Sequence, residues 1–124
     1  MPVRGVRGAI TVTKNNKEQI LDATRELLET ILERNPEMEP DSIASVFFSV
    51  TEDLDAVFPA KAARQIGWCM VPLFGSQEIT ALDSLEKCIR VLIHWNTELT
   101  QEEIRHVYLR EAKILRPDLS DNVS

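Results

Sequence analysis

A chain of 124 residues, 44% hydrophobic and 27% charged, has the size and balance of one globular domain with a core of its own. Its net charge of −6 excludes general nucleic-acid binding, which needs a basic face to displace counterions. Two cysteines, Cys69 and Cys88, are too few for a disulfide framework and lack metal-ligand spacing, so they read as reduced thiols of a cytoplasmic protein.

Met1 to Gly8 contains no apolar segment of the kind a secretion signal carries. Val3 to Val12 is rich in β-branched residues, with glycine and alanine gaps, and predicts a strand. Asn16 then caps a helix, with Gln19 in capping-box position and an apolar stripe of Ile20, Ala23, Leu27, Leu28, Ile31 and Leu32. Asn35-Pro36 ends it. Ile43 to Val50 predicts a second strand, Thr51 to Leu54 a turn, and Pro59 opens a short helix from Ala60 to Ile66 that Gly67 closes.

Cys69 to Phe74 reads as a third strand and Gly75 to Asp83 as a loop. The uncharged stretch Gln65 to Gln77 is too short, and too rich in Gly, Pro and polar residues, to span a bilayer, so no membrane partner is expected. Ser84 to Asn96 contains a fourth strand. Thr100 and Glu103 form a second capping box opening a short helix, and Val107-Tyr108-Leu109 is a last short strand. The fold class is therefore α+β: a single mixed β-sheet with helices on one face, in a ferredoxin-like layout. Residues 1–116 form one domain in this reading, and 117–124 a polar tail. Trp95, Phe47 and Ile93 make the other sheet face too apolar for solvent, which predicts an oligomer.

The feature with most chemical content is Arg90 in the run Lys87-Cys88-Ile89-Arg90-Val91-Leu92-Ile93-His94-Trp95. Ile89, Val91, Ile93 and Trp95 share one face of the strand; Cys88, Arg90, Leu92 and His94 share the other. A half-buried guanidinium cannot deprotonate to escape desolvation, so it needs an anion from the protein or from a ligand. Nine of the fourteen basic residues are arginine, the side chain suited to holding carboxylates in fixed geometry. Each could instead pair with one of the twenty acidic residues or simply be solvated.

Arg4 and Arg7 are separated by an odd number of residues, so a regular strand turns only one of them to a given side, and Gly5 and Gly8 leave the sheet surface open beside them. Glu78 is a lone carboxylate in an uncharged loop, and Tyr108 is the only tyrosine. His94 and His106 lack metal-ligand spacing and stand beside no Ser or Cys nucleophile. Acid–base, nucleophilic and metal catalysis are unsupported; anion binding by arginine is supported.

Five segments carry a family resemblance: Val3-Arg4-Gly5-Val6-Arg7-Gly8-Ala9, Ala56-Val57-Phe58-Pro59-Ala60-Lys61-Ala62, Cys88-Ile89-Arg90-Val91, Ile104-Arg105-His106-Val107-Tyr108-Leu109 and Leu115-Arg116-Pro117-Asp118-Leu119. In order and spacing the chain resembles the monofunctional trimeric chorismate mutases of bacteria. The resemblance implies a homotrimer with clefts between subunits and a barrel-like core, making 1–116 a chorismate mutase-like domain. It implies the Claisen rearrangement of chorismate to prephenate in aromatic amino-acid biosynthesis, a pericyclic shift that uses no cofactor and no metal. Such a reaction asks for a compactly held dianion and for charge stabilisation at the ether oxygen.

Carried over by residue, the resemblance places Arg90 on the ether oxygen and a carboxylate. Arg7 and Tyr108 go to the side-chain carboxylate and Glu78 to the ring hydroxyl. Phe58, Leu73, Phe74 and Leu115 would form apolar walls, with Gly75, Ser76 and Gln77 along the loop. Lys61, Arg64 and Arg116 would add positive potential at the mouth. The chain departs from the family at Gly75, where Cys or Ser is usual, and at Phe74, where a small or aliphatic residue is usual. Ser76 or a water then stands in for the missing side chain. Two rivals use the same residues: a non-catalytic trimeric sensor of small carboxylate metabolites, and an RNA-binding domain built on the Arg-Gly segment. The acidic charge and scarce aromatics speak against the second.

Overall fold

The computed structural model describes residues 1–79 and 85–115. Strand β1 (Val3–Thr11) leads into helix α1 (Lys17–Arg34), then β2 (Ile43–Val50), the short helix α2 (Ala60–Gln65), β3 (Leu73–Gln77), β4 (Cys88–Asn96) and the two-residue β5 (Val107–Tyr108). The strands make one mixed sheet in the order β3-β2-β4-β1-β5. β4 runs antiparallel to both β1 and β2, while β2–β3 and β1–β5 are parallel pairs. The α+β reading stands, with β4 inserted between the two strands that α1 connects.

Local chemistry sets the ends of α1. Asn16 Oδ1 accepts the Gln19 backbone N–H at 2.8 Å, as a cap should. The return arm of the expected capping box lands further back: Gln19 Oε1 accepts from Lys14 N at 3.1 Å and from Thr13 Oγ1 at 3.0 Å. Asn35 closes the helix, its side chain and backbone both donating to Ile31 O. Of the predicted stripe, Ile20, Ala23, Leu27, Leu28 and Ile31 are fully buried, and Leu32 is partly buried at its edge. Each large aliphatic side chain removed from water in this way contributes on the order of 1.5–3 kcal/mol.

Gly8 lets α1 approach. A Cβ there would sit 2.9 Å from Ile31 Cδ1, 3.1 Å from Val91 Cγ1 and 3.2 Å from Leu27 Cδ1. Gly8 therefore serves the helix-covered face rather than opening the other one. Gly5 is the glycine beside the open face, with Leu92 Cδ1 3.6 Å from where its Cβ would be.

Four expectations need correcting. Trp95 and Ile93 are not on the uncovered face: they are 1% and 0% exposed, under the helices, and the indole N–H donates to Ser42 Oγ at 2.9 Å. The open face instead shows Phe47 (43% exposed), Leu92 (37%) and Phe74 (54%). The third strand starts at Leu73, not Cys69: Val71 is buried as a loop anchor without pairing, while Cys69 and Met70 are exposed. Gly75 to Gln77, read as loop, belong to that strand. The expected helix after Thr100 is a single 3-10 turn, Gln101–Glu103, with Glu103 Oε1 accepting from Thr100 N at 2.8 Å. Arg116, the 117–124 tail, the loop from residue 80 to 83 and Ser84 lie outside the described residues.

Candidate active site on the open sheet face

Register places the candidate residues. Across the sheet, Tyr108 pairs with Ala9, Ala9 with Arg90, Arg90 with Ser49, and Ser49 with Ser76. The five form one transverse row on the face opposite α1, where a 3-10 turn, Arg110–Ile114, covers the Ala9–Tyr108 end. The neighbouring row runs Arg7, Leu92, Phe47, Phe74. Arg7, Ser76, Arg90, Tyr108 and Leu115 thus line a single cleft of about 350 Å³, with Phe47, Ser49 and Leu92 completing its wall.

Arg90 obtains its anion from the protein. Its Nε lies 2.9 Å from Glu78 Oε2, and the same oxygen accepts the Ser49 hydroxyl at 2.8 Å. Glu78 follows β3 directly, where its N–H donates to Val50 O at 2.8 Å and fixes the approach of the carboxylate. The Arg90 Nε is buried and the contact is an ion pair rather than an aligned hydrogen bond, so this N–H has no in-line acceptor among the described residues. The side chain as a whole is 42% exposed, so its accessible part is the remainder, which lines the cleft. Glu78 orients the guanidinium without enclosing it.

Beside this pair, on the same face, Cys88, Ala9, Tyr108 and Ala112 form a small buried cluster flanked by Leu85 and Leu115. Burial pushes the Cys88 thiol up to about 11, partly offset by the nearby Arg90 charge. Arg7 has no carboxylate partner among the described residues. Other arginines follow the bland reading: Arg4 Nε donates to Leu99 O at 2.8 Å, Arg25 pairs with Asp22, and Arg110 pairs with Glu26 at 2.9 Å.

The remaining candidates stand apart from this cleft. Phe58, Gly75 and Gln77 line a second cavity of about 410 Å³ beside β3, sharing only Phe48 and Ser76 with the first. Phe74 lies on the open face with its ring edge-on to Phe47, centroids 6.0 Å apart, whereas Leu73 packs toward the core. Lys61 and Arg64, on α2, line neither cavity. Contact with Lys17 and repulsion from its charge hold the Lys61 ammonium below its ordinary value, with Arg64 adding to the effect.

A family model for chorismate mutase type I matches residues 3–119. The chain belongs to the type I chorismate mutase family. It is 55% identical over 117 residues to the chorismate mutase AroH of Thermus thermophilus, spanning 94% of this chain and 96% of that protein. Identity to the chorismate mutase AroH of Bacillus subtilis is 47% over 121 residues, spanning 97% and 94%. A solved chorismate mutase from Clostridium thermocellum superposes with a TM-score of 0.86 at 47% identity, covering 89% of this chain and 97% of that one. The rival sensor reading draws no support from these matches.

For a chorismate mutase, the contributor that sequence reasoning missed is Ser49, which shares the Glu78 oxygen with Arg90. That it shares a face of β2 with Phe47 is visible in the sequence. Its position opposite Arg90 follows only from the β2–β4 register, which no local pattern reveals. Phe47 and Leu92 were likewise legible as strand residues but not as walls of the cleft.

Proposed function

We propose that chorismate is rearranged to prephenate in the open-face cleft, with Arg90 as the principal electrostatic element. The observation that carries this reading is the Arg90–Glu78–Ser49 constellation: a guanidinium braced from one side at 2.9 Å and accessible on the other. As the ether C–O bond breaks and the new C–C bond forms, negative charge grows on the ether oxygen. A guanidinium already oriented toward it stabilises that charge without reorganising. Arg7 and Tyr108 hold the side-chain carboxylate in the compact conformer, and Glu78 Oε1 accepts the ring hydroxyl. The apolar walls exclude water and keep the field of Arg90 strong. No group needs to gain or lose a proton.

The working enzyme is a homotrimer whose clefts are completed by the adjoining subunit. The exposed row of Phe47, Leu92 and Phe74 supports this, since solvent is a poor cover for three large apolar side chains in one row. So does the placement of Phe58, Gly75 and Gln77 on a second cavity, which would supply the facing wall of a neighbour's cleft. Residues 1–116 make the catalytic domain and 117–124 a polar tail. The reaction runs in the cytoplasm, in keeping with two unpaired thiols. No described helix is long and apolar enough to cross a membrane.

The test is loss of the diene absorbance of chorismate with purified protein and no added cofactor, beside Arg90→Ala. Rapid loss that the substitution abolishes is the expected result. An inert parent protein of the correct oligomeric state overturns the proposal.

A further inference from the structure

We propose that His106 is a positioning residue for this reaction. Its unprotonated Nδ1 accepts the Arg7 backbone N–H and so ties together the two residues assigned to the side-chain carboxylate, Arg7 and Tyr108. The inference rests on the chorismate mutase reading of the cleft.

β1 extends well beyond its short partner. Parallel pairing with β5 covers only Gly8 and Ala9. Past that point the edge of β1 is closed by side chains. Arg7 N donates to His106 Nδ1 at 2.9 Å. Gly5 N donates to Gln101 Oε1 at 3.1 Å, and Gln101 Nε2 donates to Gly5 O at 2.6 Å. An imidazole and an amide thus continue the ladder ahead of the first residue of the second strand.

The segment carrying His106 is itself pinned. Arg105 N donates to Asn35 Oδ1 at 3.0 Å, and Asn35 Nδ2 donates to Arg105 O at 2.9 Å. Asn35 is the buried cap of α1, so the end of the long helix, the His106 ring and the Arg7 peptide form one connected chain. Two residues beyond His106 comes Tyr108, opposite Ala9 in the catalytic row. A ring nitrogen that accepts must carry no proton; a proton on Nδ1 would set two donors against each other. Losing the acceptor frees the Arg7 peptide to turn, and the length of the arginine side chain magnifies that turn at its tip.

Two measurements decide the matter. In 15N-labelled protein, with His94→Gln used to assign the second imidazole, His106 should show an unprotonated Nδ1 at the pH of full activity. A protonated Nδ1 overturns the inference and requires no mutation of His106. In kinetics, His106→Leu should lower kcat/KM about tenfold, mostly through KM, the usual scale for one lost hydrogen bond at a binding group. His106→Asn, whose Oδ1 can occupy the Nδ1 position, should recover most of that loss. Should His106→Leu leave KM within about twofold, or a folded His106→Asn behave no better than Leu, the assignment fails. An inert parent protein would overturn the function reading, and this role with it; an active parent with indifferent variants overturns this role alone.

Discussion

Ser49 and Arg90, partners across the β2–β4 ladder, converge on one oxygen of Glu78 at 2.8 and 2.9 Å. A carboxylate oxygen held by a hydroxyl and a guanidinium nitrogen has little freedom left, so the direction of the Arg90 fork is set before substrate arrives. Preorganisation of that kind is what a pericyclic reaction can use, since it has no proton transfer or covalent step for a side chain to assist.

Arg90→Ala should lower kcat by roughly a hundred- to a thousandfold, about 3–4 kcal/mol, the scale for removing an oriented donor at developing charge. Arg90→Lys should be nearly as damaging, because an ammonium keeps the charge but loses the planar fork. Steady-state kinetics on both variants decide it; near-normal kcat in Arg90→Lys would contradict the role given to the fork.

Glu78→Gln should cost less than Arg90→Ala, since the amide oxygen can still meet Ser49 and the bracing of Arg90 is weakened rather than removed. Ser49→Ala should cost less again, on the scale of one hydrogen bond, about 1 kcal/mol. The ranking of kcat/KM across the three variants is the readout. A Glu78→Gln effect larger than that of Arg90→Ala would point to proton transfer.

Gly8→Ala should destabilise the fold by about 1–3 kcal/mol through overpacking, because the added methyl meets Ile31, Val91 and Leu27 inside van der Waals distance. Urea unfolding of parent and variant measures this directly.

The two thiols should separate cleanly in alkylation. Cys69 is exposed and Cys88 buried, and a Cys88 value of about 11 leaves only about one thiolate in a thousand at pH 8. The same shift gives the sign of a stability effect. The folded thiol holds its proton to higher pH than the ordinary 9.0, so its contribution is complete below 9 and is lost as pH rises toward 11. Urea midpoints should fall over that window, and fall less in Cys88→Ala.

Leu92→Lys places an ammonium in the middle of the exposed apolar row. If that row is the subunit interface, light scattering should show the trimer dissociating and activity should vanish with it, because a desolvated charge there has no partner. A trimer that survives Leu92→Lys intact would move the interface elsewhere.

Much of the fold was legible where one face of an element is buried. β1, α1, β2 and β4 announce themselves by period, and α1 by its caps at Asn16 and Asn35. The errors arose where burial and pairing part company. The third strand, expected from Cys69, starts at Leu73: Val71 is apolar because a loop anchors on it, and Met70 is apolar yet exposed. Trp95 and Ile93 were assigned the right common face of their strand but the wrong neighbour, since periodicity does not say which face meets the helices. Arg90 was conspicuous because an unpaired guanidinium in an apolar run is costly. Its bracing by Ser49 through Glu78 depends on register between strands roughly forty positions apart, which no local propensity encodes.

The transverse row from Tyr108 to Ser76 has a bearing on indels and grafting. Side chains alternate between faces, so one residue inserted in β4 ahead of Arg90 would swing the guanidinium beneath α1 and bring Ile89 or Val91 into the cleft. Length variation should accumulate in the connections and stop at the strand ends. A loop transplant or circular permutation of this scaffold should cut outside β1, β2 and β4.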